Sequence, residues 1–290
     1  MFQIIGVVCV FGMVFGGFVL AGGHFDVILH ALPFEMMMIG GSAVGALLIG
    51  NEGSVIMSLP GEFGKALSGP KWKRSDYQEL LSLLFSLTKL AKAKGVVALE
   101  NHIENPKDSK IFGRYPKILK DHFAVDLICD TLRMTTMNLD NPHQIETAME
   151  QQIEKHRHEG HAGAHALQNT ADALPALGIV AAVLGIIKTM GAITEPPEKL
   201  GLLIGGALTG TFLGVFLAYG LVAPLAQRIA AVHDQDDKFY NIIKDVLVAY
   251  LHGNAAQAAV EIGRGLVPSR LQPTFAQLEE ATQAAAAEAA

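Results

Sequence analysis

Four apolar runs constrain this chain more than any other feature of it. The first spans Phe2 to Gly23, with Gln3 its only strongly polar residue. The second spans Leu32 to Gly50, with Glu35 near its start. The third, DALPALGIVAAVLGIIKTMGAI, spans Asp172 to Ile193 and is interrupted by Lys188. The fourth runs from Leu200 to Ala226 without a charge. About 20 mostly apolar residues suffice for a helix to cross the hydrocarbon core of a bilayer, so the runs predict four transmembrane helices. Only 17% of the residues are charged, against about 25% in soluble domains. The first run lacks a basic leader and is longer than the apolar core of a signal peptide, so it reads as a retained span.

The basic residues give an orientation. Gly22 to Ala31 holds no Lys or Arg, and Thr194 to Lys199 holds only Lys199. Asn51 to Thr170 holds fifteen and Gln227 to Ala290 holds five. Basic residues accumulate on the cytoplasmic side, which places both large polar segments and both termini there. Lys188 then sits near the outer end of the third span, where its stem can reach the headgroups. The fold class expected is an all-α membrane protein with four transmembrane helices. A large helical cytoplasmic domain is inserted between spans 2 and 3, and a cytoplasmic extension follows span 4. The boundaries expected are 1–51 for spans 1 and 2, 52–171 for the cytoplasmic domain, 172–226 for spans 3 and 4, and 227–290 for the extension and tail.

Within the polar segments the period is helical. Ser75 to Gly95 carries leucines at helical spacing, with Ser75 or Asp76 as a cap, lysines in the last turns and Gly95 as a stop. YPKILKDHFAVDLICDTLRM has the same period. The stretch after Asn141-Pro142 can run on toward the third span, and the fourth span can continue past Gln227 as one long helix. GNEGSVIMSLPGEFGKALSGPKW is amphipathic and suits the membrane interface. The alanine-rich end, EEATQAAAAEAA, is expected to fray. A net charge of −6 argues against a nucleic-acid binder. Cys9 and Cys129 are too far apart in kind and place for a disulfide framework and read as packing residues.

Small residues recur at four-residue spacing: Gly206, Gly210 and Gly214; Gly12 and Gly16; Gly41 and Gly45; and Gly178, Ala181, Ala182 and Gly185. That spacing lets helices approach closely, within one chain and between subunits. Spans 3 and 4 lack an acid, apart from Asp172 at the edge, and lack histidine. Carrying an ion through hydrocarbon needs an ionisable or coordinating group, so a titrating carboxylate is expected from another polypeptide. Pro175 enters the third span and Pro224 leaves the fourth, each without an amide donor. Two such breaks at matching depth would form a hinge or a small polar spot.

Four stretches, DALPALGIVAAVLGIIKTMGA, GTFLGVFLAYGLVAPLA, LENHIENPKDSKIFGRYP and AVEIGRGLVPS, resemble the MotA family of flagellar motor stator proteins, of the MotA/TolQ/ExbB proton channel family. The resemblance covers nearly the whole chain. It implies a stator subunit that forms a proton channel with a MotB partner, whose Asp supplies the proton site, and that couples ion flow to torque on the rotor protein FliG. It implies a ring in the bacterial inner membrane, five copies around two MotB. Pro175 and Pro224 match family prolines tied to coupling, and Thr211 a threonine facing the ion site. Ala182 stands where sodium-driven relatives often carry a threonine, which favours protons over sodium. Lys92 and Glu100 match rotor-contacting charges, with lysine in place of the family's arginine. No other cofactor is implied.

His158, His161 and His165 share one helix face in the stretch His156 to His165 and could ligate a metal, although a solvated face is the simpler reading. No catalytic triad, phosphate loop or zinc knuckle is visible, so no enzyme is expected. The competing function is an ExbB- or TolQ-like energiser of outer-membrane processes. A fourth apolar run and the insertion after the second argue against it.

Overall fold

The structure, a computed structural model, describes residues 2–137 and 141–289, with side chains as far as Ala285. Among the described residues every regular element is helical. In chain order the helices are α1 Phe2–Leu20, α2 Asp26–Gly50, α3 Gly53–Ser68, α4 Arg74–Lys94, α5 Glu100–Glu104, α6 Pro116–Leu119, α7 His122–Thr136, α8 Pro142–Gly191, α9 Pro197–Leu251, α10 Ala256–Leu266 and α11 Phe275–Ala289. Four of them, α1, α2, α8 and α9, are long and apolar enough to cross a membrane. The second extends further than its apolar run: α2 begins at Asp26, so Glu35 lies well inside it.

The chain forms two compact units. One comprises the residues up to Gly69 together with Gly160–Val232; the other comprises Pro70–Glu159 and the residues from His233 onward. The divisions differ from those expected at the ends of the apolar runs, because α3 and polar turns of α8 and α9 pack with the spans. Leu59 and Ala66 of α3 meet Ala164 and Leu167 of α8 and Ala226 and Ile229 of α9.

In the first unit, α8 and α9 touch along their glycines. A Cβ on Gly178 would lie 2.8 Å from the Gly210 carbonyl oxygen, and one on Gly214 would lie 2.6 Å from that of Leu174. A Cβ on Gly185 would come within 2.7 Å of the Ala207 side chain. Helix α2 lies along α9, with Val27 against Gly205 and Ala31 against Gly206. Helix α1 is held by rings: Phe11 meets Phe216 edge-on at 5.2 Å, and Phe15 meets Phe212 and Phe216. By contrast, Gly12, Gly16, Gly41 and Gly45 face open space, with nothing within 4 Å of a Cβ. The small-residue spacing of spans 3 and 4 is thus used within the chain, and that of spans 1 and 2 is not.

The second unit has an ordinary soluble core. Trp72 stacks on Phe239 at 3.7 Å, and Leu80, Leu81, Leu84 and Leu87 of α4 are fully buried. Asp76 caps α4 from its first turn rather than as the N-cap residue: its carboxylate accepts the N–H of Lys73, the N-cap, at 2.7 Å. The period from Tyr115 to Met134 breaks into two helices, because the Asp121 side chain accepts the Ala124 N–H and starts α7 afresh. Asp121 also takes the Tyr240 hydroxyl at 3.1 Å and pairs with Lys71. Burial pushes the Cys129 thiol up to about 12, so it packs as an inert apolar group, whereas Cys9 lies on an open face of α1. Rather than fraying, the alanine-rich end is helical to Ala289, anchored by Leu278, Thr282 and Ala285. The part of that expectation that falls on Ala290 lies outside the described residues.

One pH effect follows from His102. The Ser109 hydroxyl oxygen receives the N–H groups of Ile111 and Phe112, so its own proton is directed to His102 Nδ1 at 2.7 Å. A protonated imidazole would carry a proton where that acceptor is needed. Burial also holds the His102 pKa below its ordinary 6.5. The group is neutral when folded, so the stability it contributes is complete above pH 6.5. That stability is lost as the pH falls from 6.5 through the folded value. Thermal denaturation of the detergent-solubilised protein should show a melting temperature that drops below pH 6.5. His102→Gln should flatten that drop; an equal drop in the variant would remove His102 as the cause.

Candidate functional site

The seam between α8 and α9 carries several of the residues singled out in the sequence. Gly178 packs on Gly210 and Gly214, and Ala181 packs on Gly210. Thr211 and Ala182 are the next residues along each helix. Ala182 is 8% exposed, and Thr211 is half-buried. Thr189 and Thr209 each donate their hydroxyl to the carbonyl four residues back, at 2.8 and 2.9 Å. Thr211 forms no such bond among the described residues, so its hydroxyl is available to a ligand.

Pro175 is half-buried within the unbroken α8. Its ring deprives the Ala171 carbonyl of the usual helical donor. Pro224 is exposed in α9, and the turn just before it, Ala218–Val222, widens to a π-helix that absorbs its missing donor. The two prolines are not at matching depth. Leu174 faces Gly214, and Pro224 lies ten residues beyond Gly214, roughly 15 Å along the helix. Its level is that of Leu167 and Ala226. Antiparallel pairing of α8 and α9 sets these levels, and the sequence alone does not state that register.

Lys92 and Glu100 belong to the second unit. Lys92 is in the last turn of α4, which ends at Gly95 with φ of +82°, and Glu100 opens α5. They therefore stand on different helices. Both are exposed, and neither forms an ion pair among the described residues. Nearby charges are committed, as with Arg133 on Glu104 and Asp130.

The histidines of α8 do not gather as one ligand set: His158 pairs with Glu154 at 3.1 Å, and His161 faces His165 at 6.3 Å between rings. A different group, His143, Glu146 and His252, brings ligand atoms within 4.8 Å of one another and could hold a divalent cation. It is open to solvent, and only that spacing marks it. Sequence reading also passed over Glu35, which is 5% exposed. The signal was present: Ile39 and Ala43 follow at four-residue steps on the same face, and both are buried.

Residues 4–95 match the model of the motility protein A N-terminal domain, and residues 120–240 match that of the MotA/TolQ/ExbB proton channel family. Motility protein A of Salmonella typhimurium is 38% identical over 98% of this chain and 96% of its own length. The chain belongs to the motility protein A family. The fold agrees with this assignment. A C. jejuni MotAB structure superposes with a TM-score of 0.70 at 19% identity, covering 92% of this chain and 95% of that one. The flagellar MotAB stator complex from Bacillus subtilis gives 0.67 at 23%, covering 89% and 92%. This member of the motility protein A family is a membrane-embedded flagellar stator subunit of a proton channel family. Its family role is non-enzymatic, and an ExbB- or TolQ-like role is not favoured.

Proposed function

We propose that this chain forms a ring in the bacterial inner membrane around a MotB-type partner, passes protons along the partner's intramembrane Asp, and turns that flow into torque on FliG. Near-full-length identity to a motility protein A carries the reading. The seam supports it: the uncommitted Thr211 hydroxyl lies one residue from the α8–α9 contact, and no acid of α8 or α9 stands beside it. The open glycine faces of α1 and α2 suit neighbouring subunits, for which five copies around two partners is the expected count. Ala182 offers a methyl where a sodium ion would need an oxygen, so the coupling ion is the proton. Pro175 is the hinge within an otherwise regular helix, and Pro224 acts beside the π-turn at the other level.

Lys92 and Glu100, exposed and unpaired, meet the rotor. Exposed ion pairs are individually weak, which suits a contact that engages and releases at each step. The spread of basic residues supports a cytoplasmic second unit and cytoplasmic termini, with α3 at the interface. Deleting this chain should abolish swimming. Restoring it should give swimming that survives sodium-free medium and stops with a protonophore. Swimming that needs sodium would overturn the choice of ion, and undiminished swimming in the deletion would overturn the function.

A further inference from the structure

Glu35 is buried among the apolar helices of the first unit. It is 5% exposed, and its Oε2 has no hydrogen-bond partner among the described residues. The room for it is made by a glycine: a Cβ on residue 210 would lie 2.5 Å from Glu35 Oε2 and 3.3 Å from the Ala181 side chain. The carboxyl therefore lies over the α8–α9 seam. Gly210, on which it rests, directly precedes Thr211, and Ala181, which packs on Gly210, directly precedes Ala182. Glu35 is nine residues into α2, roughly 14 Å along its axis, in a hydrocarbon layer about 30 Å thick. The next five residues, Met36–Gly40, form a π-turn, an irregularity that often accompanies function.

A cavity of about 640 Å³ opens onto this carboxyl. Two basic groups line it with Glu35: His30 from the same helix and Lys188 from α8. Helix α9 contributes only Leu202, Leu203, Gly206 and Ala207, which carry no charge. Gly185 pairs with Ala207, and Val27 with Gly205, so His30 and Lys188 stand toward the same end of the unit. An uncompensated carboxylate in hydrocarbon is costly, and proton uptake removes the charge. Ionisable groups inside membrane segments are rare and mark ion paths.

We propose that Glu35 is a proton-binding carboxyl of this chain's own membrane part, loaded through the cavity it shares with His30 and Lys188. The carboxylate takes a proton from hydronium at the mouth, and water departs. On release the same O–H bond breaks, and the proton passes to water or to the partner's carboxylate. Glu35 is thus a station ahead of the partner's acid, and Gly210 is the residue that lets it reach the seam. The inference rests on the proposed channel and adds a site within this chain.

The test uses the purified complex of this chain with its partner. Dicyclohexylcarbodiimide adds across the O–H of a protonated, membrane-buried carboxylic acid with no leaving group. Peptide mass mapping should find the adduct on Glu35, with a yield that falls as the pH is raised, and should lose it in Glu35→Gln. Absence of an adduct on Glu35 at every pH overturns the proposal, and this arm needs no variant that might fail to fold. In cells deleted for the chain, Glu35→Gln should restore less swimming speed than the native chain and lose the dependence of speed on external pH. Glu35→Asp should keep that dependence. If the deletion stops swimming but Glu35→Gln swims like the native chain at every external pH, the role of Glu35 is refuted while the channel stands. If the deletion swims, the channel itself is refuted.

Discussion

Gly214→Ala should strip the membrane of most of this protein and abolish swimming. The added methyl would sit 2.6 Å from the Leu174 carbonyl oxygen and 2.9 Å from the Gly178 Cα. Both are backbone atoms of α8, and neither can swing aside. The two helices must separate, which also undoes the contacts of Gly178 and of the neighbouring Leu213 and Leu174. Overpacking a tight core costs about 1–3 kcal/mol, occasionally more, a large share of the 5–15 kcal/mol typical of native stability. Two comparisons isolate the cause. Gly45→Ala meets nothing within 4 Å among the described residues and should leave the fold of the chain unchanged. Gly210→Ala meets the end of the flexible Glu35 side chain, which can move, so it should cost less stability while displacing the carboxyl. Membrane accumulation and thermal denaturation in detergent read all three. Native accumulation and melting in Gly214→Ala would show that the α8–α9 approach is looser than described.

How far these features could be read in advance depends on what fixes them. The four spans were legible because hydropathy over about 20 residues is a property of the sequence alone. The long helices α8 and α9 were legible for the same kind of reason: the Asn141-Pro142 start and the absence of a stop after Gln227 are local signals. Gly95 was legible as the end of α4, and its positive φ explains why glycine stands there. The break at Asp121 was not, since apolar spacing continues across it and only a side-chain cap interrupts the helix. Relative depth was not legible either. Pro175 and Pro224 seemed matched because each lies near the polar end of a span, yet depth depends on which residues of α8 and α9 touch. That register is set by Gly178 on Gly214 and Gly185 on Ala207. Glu35 was visible at the start of an apolar run, but whether it faced solvent or the seam depended on the face shared with Ile39 and Ala43. Its room depended on Gly210, far along the chain. The uncommitted Thr211 hydroxyl is of the same class: all span threonines look alike until their carbonyl partners are known.

The second large effect concerns the ion path. Alone, this chain offers one buried carboxyl on α2 and none within the apolar spans of α8 and α9. A proton that reaches Glu35 therefore meets no further acid within the apolar spans of α8 and α9. Placing a charge at mid-membrane without a partner costs about 3 kcal/mol even on the mildest scale, which corresponds to about a hundredfold in an equilibrium. The partner's acid is what removes that step. The small-residue seam and the Thr211 hydroxyl shape the sleeve around it without supplying its charge.

The most direct measurement is proton flux into liposomes holding this chain alone or together with its MotB-type partner, at equal protein density. The account predicts flux at the background of empty liposomes for the chain alone and robust, protonophore-independent acidification once the partner is present. Full flux from the chain alone would contradict it.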